Sequence, residues 1–171
     1  MKRLTFLCLI VLGSSLAVAG QMPKYGVTST ADKTTDFSKL KTYVWDGGWL
    51  APDKNVHQQI QTAVDRELKA LGLEKKSSGP SDVLLTYASL RRIDVDLNSK
   101  PATKDGPRRQ FDVGTLVVLV LEPGTRKELY RARVDKPIEA DPDKLEAIIN
   151  AAVAEMFAGY PTRQSNPATK R

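Results

Sequence analysis

The sequence is poor in the residues that carry most enzyme chemistry. It holds one cysteine, Cys8, and one histidine, His57. A single histidine with no cysteine near it excludes the usual zinc-ligand sets. No serine sits in a Gly-x-Ser-x-Gly elbow, and none stands beside a histidine as a nucleophile–base pair. Neither Gly47-Gly48 nor Gly79-Pro80 lies in a phosphate-cradling glycine pattern, which excludes nucleotide binding of that kind. No Asp-rich loop with a central glycine is present, so a calcium loop is excluded as well. No apolar run beyond the N-terminus approaches the ~18 residues of a membrane span. There is no internal repeat.

The N-terminus is more informative. Lys2 and Arg3 precede an apolar stretch from Leu4 to Leu12, and Ala17-Val18-Ala19 forms a small-residue cleavage signal. These parts in this order read as a secretory signal peptide over residues 1–19. Cys8 sits inside the apolar stretch after Thr5-Phe6-Leu7, away from the cut, so no lipid anchor is expected there. Cleavage removes this cysteine, and the exported chain then has neither disulfide nor thiol chemistry. It also removes Lys2 and Arg3, lowering the formal charge from +6 to +4. That balance is mild, and an exported protein rarely meets nucleic acid. Localisation is therefore expected in the periplasm or cell envelope, without nucleic acid as a partner.

The rest reads as a single domain over 20–161 followed by a polar, disordered tail over 162–171. Its centre is Phe111–Val134. The apolar run Leu116–Leu121 has the character of a strand buried on both faces, and Glu122-Pro123-Gly124-Thr125 suits a type II turn. Tyr130, Ala132 and Val134 then alternate with Arg131 and Arg133, giving the second arm of a hairpin. Val27–Ser29, Thr42–Trp45 and Leu73–Lys76 read as short strands, and Val83–Leu97 as one long strand or two linked ones. Val56, Ile60, Ala63, Val64, Leu68 and Leu71 fall at helical spacing, with Asp53 or Asn55 as cap and Gly72 as terminator. Leu145, Ile148, Ile149, Ala152, Val153, Met156 and Phe157 form a second helical stripe, started by Asp141-Pro142. Residues 98–110 form a loop. The expected fold is α+β: a mainly antiparallel sheet of five or six strands with two amphipathic helices on one face.

Several segments resemble a bacterial envelope family of unknown function, number four-one-three-six of its series. The likeness rests on Asp36-Phe37-Ser38-Lys39-Leu40-Lys41-Thr42-Tyr43-Val44-Trp45, on Ile60, Ala63, Val64, Leu68, Gly72 and Leu73, and on Ser81-Asp82-Val83. Gly114-Thr115-Leu116, Leu129-Tyr130-Arg131 and Tyr160-Pro161 follow in the same order. Many members of that family look like lipoproteins; this chain departs in lacking a cysteine at the cleavage site. Glu122 and Tyr130 are further departures. The resemblance implies envelope localisation and brings no activity with it.

Three functional expectations follow. The first is a non-enzymatic interaction module that meets another envelope protein or an anionic envelope surface. Its candidate surfaces are the sheet edge, Trp49, and the basic residues Arg91, Arg92, Lys100, Lys104, Arg108 and Arg109. Trp49 is either an exposed anchor or packed over the helix start. The second is a carrier of a small apolar ligand between sheet and helices. The third is an envelope polymer hydrolase using Asp94, Asp96 or Asp112, with Asp94 and Asp96 on one strand face and Asp112 opposite. His57 is expected to be a solvated first-turn residue. No catalytic residue, cofactor or metal is assigned.

Overall fold

The computed structural model describes residues 26–96, 98–101, 103–138 and 142–164. The leader over 1–19, the cap Asp141 and residues 165–171 of the tail lie outside the described residues. The strands are β1 (Gly26–Ala31), β2 (Thr42–Trp49), β3 (Glu74–Lys75), β4 (Val83–Val95), β5 (Gln110–Leu121) and β6 (Glu128–Pro137). Two long helices, α1 (Lys54–Ala70) and α2 (Pro142–Ala158), are joined by a last turn, α3 (Pro161–Gln164). The packed chain thus continues past Pro161, and Arg163 reaches Glu67 of α1 at 3.0 Å.

One sheet holds all six strands in the order β1-β6-β5-β4-β2-β3. Hairpin connections make β4, β5 and β6 antiparallel, and β1 returns antiparallel to β6. β2 instead lies parallel to β3 and β4, because α1 intervenes and a helical crossover brings the chain back in the same direction. The protein is therefore α+β with a mostly antiparallel sheet.

Both helical stripes close over one sheet face. Ile60, Val64 and Leu68 of α1 and Val153, Met156 and Phe157 of α2 share a core with Leu85, Tyr87, Val118, Val120 and Tyr130. Asp53 caps α1, accepting the N–H groups of Asn55 and Val56 at 2.8 and 3.0 Å, and Gly72 ends it with a φ of +86°. Two expectations are corrected. β5 is covered on its helix side by Leu116, Val118 and Val120, whereas Val117 and Leu119 are only half-buried. Among the described residues no helix covers that second face: Val117 pairs with Arg133 and Leu119 with Arg131, and stems of that length screen apolar neighbours while their charges stay in water. The hairpin turn is also wider than type II. Gly124 has the positive φ it needs, but closure is made by the Arg126 N–H to the Glu122 oxygen at 3.0 Å, with Arg126 itself at φ 58°.

The motif around Tyr43 is structural. The Tyr43 hydroxyl and the Trp45 indole N–H both donate to one oxygen of Asp65 on α1, at 2.7 and 2.8 Å. Asp82 accepts the N–H groups of Lys41 and Thr42 at 2.9 and 2.8 Å and the Thr42 hydroxyl at 3.0 Å. These bonds hold its carboxyl below the usual carboxylate range, the Lys41 N–H contributing most. They fix β2 to α1 and to the start of β4.

Candidate functional site

The carboxylates considered for hydrolysis do not converge. In the β4–β5 register Asp94 is opposite Phe111 and Asp112 is opposite Ile93. Strand alternation therefore puts Asp94 and Asp112 on opposite faces. Arg91 grips Asp112 through two bonds of 3.0 and 2.6 Å, while Arg92 holds Asp94 at 2.9 Å. Asp96, just beyond the strand, accepts the Asn98 N–H at 3.0 Å. Three carboxylates tied to three separate partners offer no acid–base pair, so the hydrolase expectation is withdrawn.

The same alternation divides the basic residues. Arg91 lies on the helix side. Arg92 lies on the open face and bridges Asp94, Asp135 (2.6 Å) and the Thr115 hydroxyl (2.9 Å). Arg133 is the largest influence holding the Asp135 carboxyl far below its ordinary range, with Thr115 and Arg92 adding to it against partial burial. Arg91 and Arg92 are thus ion-pair partners on two surfaces and form no joint patch. Lys100, Lys104, Arg108 and Arg109 are exposed on the loop between β4 and β5.

His57 also departs from expectation, because it is half-buried and not merely solvated. Its Nδ1 lies 2.7 Å from the Tyr87 hydroxyl, which accepts the Ala51 N–H at 3.0 Å. The imidazole stacks on the Tyr87 ring at 5.8 Å and 25°. This histidine fixes the segment that joins β2 to α1.

That segment is one wall of an open cleft of about 470 Å³ between the helix layer and the sheet. Val56 and Ile60 of α1 face Leu145, Ile148 and Ile149 of α2 across it, and Leu116 and Val134 form its floor. The volume is in the range that binds small molecules, and the lining is overwhelmingly apolar. The cleft exists because the two stripes are longer than the core they meet. Their C-terminal turns are sealed, while Val56, Leu145 and Ile148 remain half-buried at the helix starts. Ile138 lies at the mouth, where Gly114 gives it room: a Cβ on Gly114 would come within 3.3 Å of the Ile138 side chain. Arg91 and Lys136 stand on the rim, the latter 3.1 Å from Glu155. Residues 139–141 lie outside the described residues.

The cleft opens at the end of the sheet where β2 and β4 finish, β5 begins, and both helices start. Trp49, expected to be either anchor or packing, is 73% exposed there. Leu50, Leu90, Ile93, Val95 and Ile138 are exposed at the same end. Sequence reasoning found Trp49, the loop cations and, in the carrier expectation, a ligand space between sheet and helices, but not the residues that line the cleft. Its signal was the apolar character of the first turns, at Val56 and Leu145, which periodicity alone assigns to core. Among the described residues no group of three or more His, Cys, Asp or Glu is gathered as for a metal ion, and no helix is long and apolar enough to cross a membrane.

No curated protein matches this sequence. Among solved structures, the fold is similar to a PDZ domain protein from Parabacteroides distasonis, with a TM-score of 0.53 and 16% identity. That match covers 80% of this chain but only 35% of the other, so the chain spans about a third of that protein. It is also similar to PelC from Paraburkholderia phytofirmans, a dodecamer, with a TM-score of 0.51, 11% identity, and coverage of 79% and 95%. At such identities the likeness concerns the fold alone. The family model for DUF4136, a domain of unknown function, matches residues 27–162. That span takes in the Tyr43–Trp45 anchor, the cleft and both helices, and the chain belongs to the DUF4136 family.

Proposed function

We propose that this protein is a non-enzymatic binding protein of the bacterial envelope that holds a chain-like apolar ligand between its helices and its sheet. The open apolar cleft of about 470 Å³ carries this reading. Export is supported by the leader pattern over residues 1–19 and by the resemblance to envelope proteins. A binding role is supported by the separation of Asp94, Asp96 and Asp112, which leaves those acids to structural ion pairs and loop capping. The cleft has few polar groups, so its selectivity is for length and apolarity.

Calorimetric titration with decanol, dodecanol and tetradecanol tests this. Each methylene taken out of water contributes about 0.8 kcal/mol, so affinity rises roughly fourfold per methylene until the cleft is full. Leu145→Trp, at a half-buried lining position, fills the cleft and abolishes the gain. Chain-length-independent binding, or undiminished binding by Leu145→Trp, would count against the cleft as the seat.

A further inference from the structure

We infer that the end of the molecule at which the cleft opens is a docking face for an anionic lipid bilayer surface. This deepens the cleft reading by naming where its ligand comes from. The observation is one of placement. Among the described residues, the exposed large hydrophobic side chains are Trp49, Leu50, Leu90, Ile93, Val95 and Ile138. Trp49 ends β2 and Leu50 follows it, Leu90, Ile93 and Val95 lie on the second half of β4, and Ile138 follows β6. In the sheet register Val95 pairs with Gln110 and Val113 with Pro137 toward one end, while Trp49, opposite Ala88, ends β2 level with the middle of β4. At the opposite end, formed by the turns near residues 72, 79 and 124, no exposed large hydrophobic residue is found among those described.

Beside these apolar tips stands the loop between β4 and β5. It exposes Lys100, Lys104, Arg108 and Arg109, and its acids are Asp96 and Asp105. Asp96 is turned to its own backbone, accepting the Asn98 N–H. The loop therefore faces solvent with an excess of positive charge at the end where the apolar tips project. Arg91 and Lys136 add cations on the rim, paired with Asp112 and Glu155.

Aliphatic tips, one exposed indole and flanking cations are the set with which a peripheral protein enters the bilayer interface. The apolar atoms sit below the headgroups, the indole sits among them, and lysines and arginines meet anionic phosphates. The tips come from three separate elements, and strand alternation sends Leu90 to the open face but Ile93 and Val95 to the helix side, so they form no single flat patch of the kind a protein partner packs against. A bilayer is also the medium from which an apolar chain reaches this mouth without crossing water.

Co-sedimentation tests the inference, using the full chain with vesicles of phosphatidylcholine alone and of phosphatidylcholine and phosphatidylglycerol in equal parts. Binding is expected to the mixed vesicles, with Trp49 emission moving to shorter wavelength and binding weakened by salt. Lys104→Gln/Arg109→Gln is expected to lower partitioning on the order of 25-fold, about fivefold for each charge removed near the surface. Ile93→Ser/Val95→Ser is expected to lower it at least tenfold on both vesicle types. All four positions are exposed, so the fold is retained, which circular dichroism checks. Equal binding by parent and both variants overturns the inference. So does loss, in Ile93→Ser/Val95→Ser, of a protein crosslink with no change in vesicle binding. If the chain alcohols bind while vesicles do not, the docking face fails and the cleft reading stands. If vesicles bind while the alcohols do not, the reverse holds.

Discussion

Removal of the Asp65 carboxylate is the sharpest test of how the family motif builds this fold. In Asp65→Ala, the Tyr43 hydroxyl loses its 2.7 Å partner and the Trp45 indole its 2.8 Å partner. Tyr43 is 1% exposed, so no other acceptor reaches its hydroxyl without rearrangement, whereas Trp45 is half-exposed and can turn to water. A hydrogen bond to a charged group contributes about 1.5–3 kcal/mol, and an orphaned buried donor costs about 1–3 kcal/mol. The Lys75–Asp65 pair, with 48% and 27% of its side chains exposed, adds little. The expected loss is about 3 kcal/mol, read in urea as a lower midpoint at unchanged slope. For a domain of this size it lowers Tm by about 6–12 °C. Tyr43→Phe removes the donor along with its need, so it is expected to cost only about 1 kcal/mol. The double variant should then be less unstable than the two single losses added, by at least about 0.5 kcal/mol. A loss below about 1 kcal/mol for Asp65→Ala, or strict additivity of the two changes, would refute the view that this carboxylate ties β2 to α1.

Two further outcomes follow from the core. Burial raises the hydroxyl pKa of Tyr43, Tyr87, Tyr130 and Tyr160 above the ordinary tyrosine value, with Asp65 adding to the rise at Tyr43. A raised folded-state pKa leaves stability unaffected below the unfolded value near 10 and removes it as pH climbs above that value. Ultraviolet titration should therefore show these four ionising only as the protein unfolds; stepwise ionisation in the folded state would contradict the burial argument. Gly48→Ala is expected to cost more than about 2 kcal/mol in thermal unfolding. Its φ is +137°, and an added Cβ would overlap the Tyr87 carbonyl oxygen. A neutral result would show that the bulge in β2 is free to relax.

Helix and strand identity was legible because periodicity is a local property. The stripes from Val56 to Leu71 and from Leu145 to Phe157 needed only their own spacing to declare a helix and its buried side. Asp53 and Gly72 bounded α1 by local chemistry alone. Asp65 was not legible as an anchor. On the helix it is one more polar residue flanking a stripe, and its donors lie 20 and 22 positions earlier in the chain. His57 was misread for the same reason, since Tyr87 is 30 positions away. Arg91 and Arg92 are neighbours in sequence and strangers in space, because a strand sends successive side chains to opposite faces. That was derivable once the strand was assigned.

What the sequence determined by itself was the α+β class, the extent and buried side of both helices, the central hairpin, and the absence of several familiar catalytic patterns. Local spacing and turn chemistry suffice for these. What only the tertiary structure decided was which distant side chains meet, and where apolar surface goes uncovered. Asp94, Asp96 and Asp112 were scattered among separate partners by register. The cleft lies between the sheet and the first turns of two helices, where Val56, Leu145 and Ile148 stay half-buried. Ile138 came to the cleft's mouth, and Trp49, Ile93 and Val95 to exposed positions on the neighbouring strands, through strand order and direction. A gap between elements has no sequence of its own, so a pattern within one element cannot announce it.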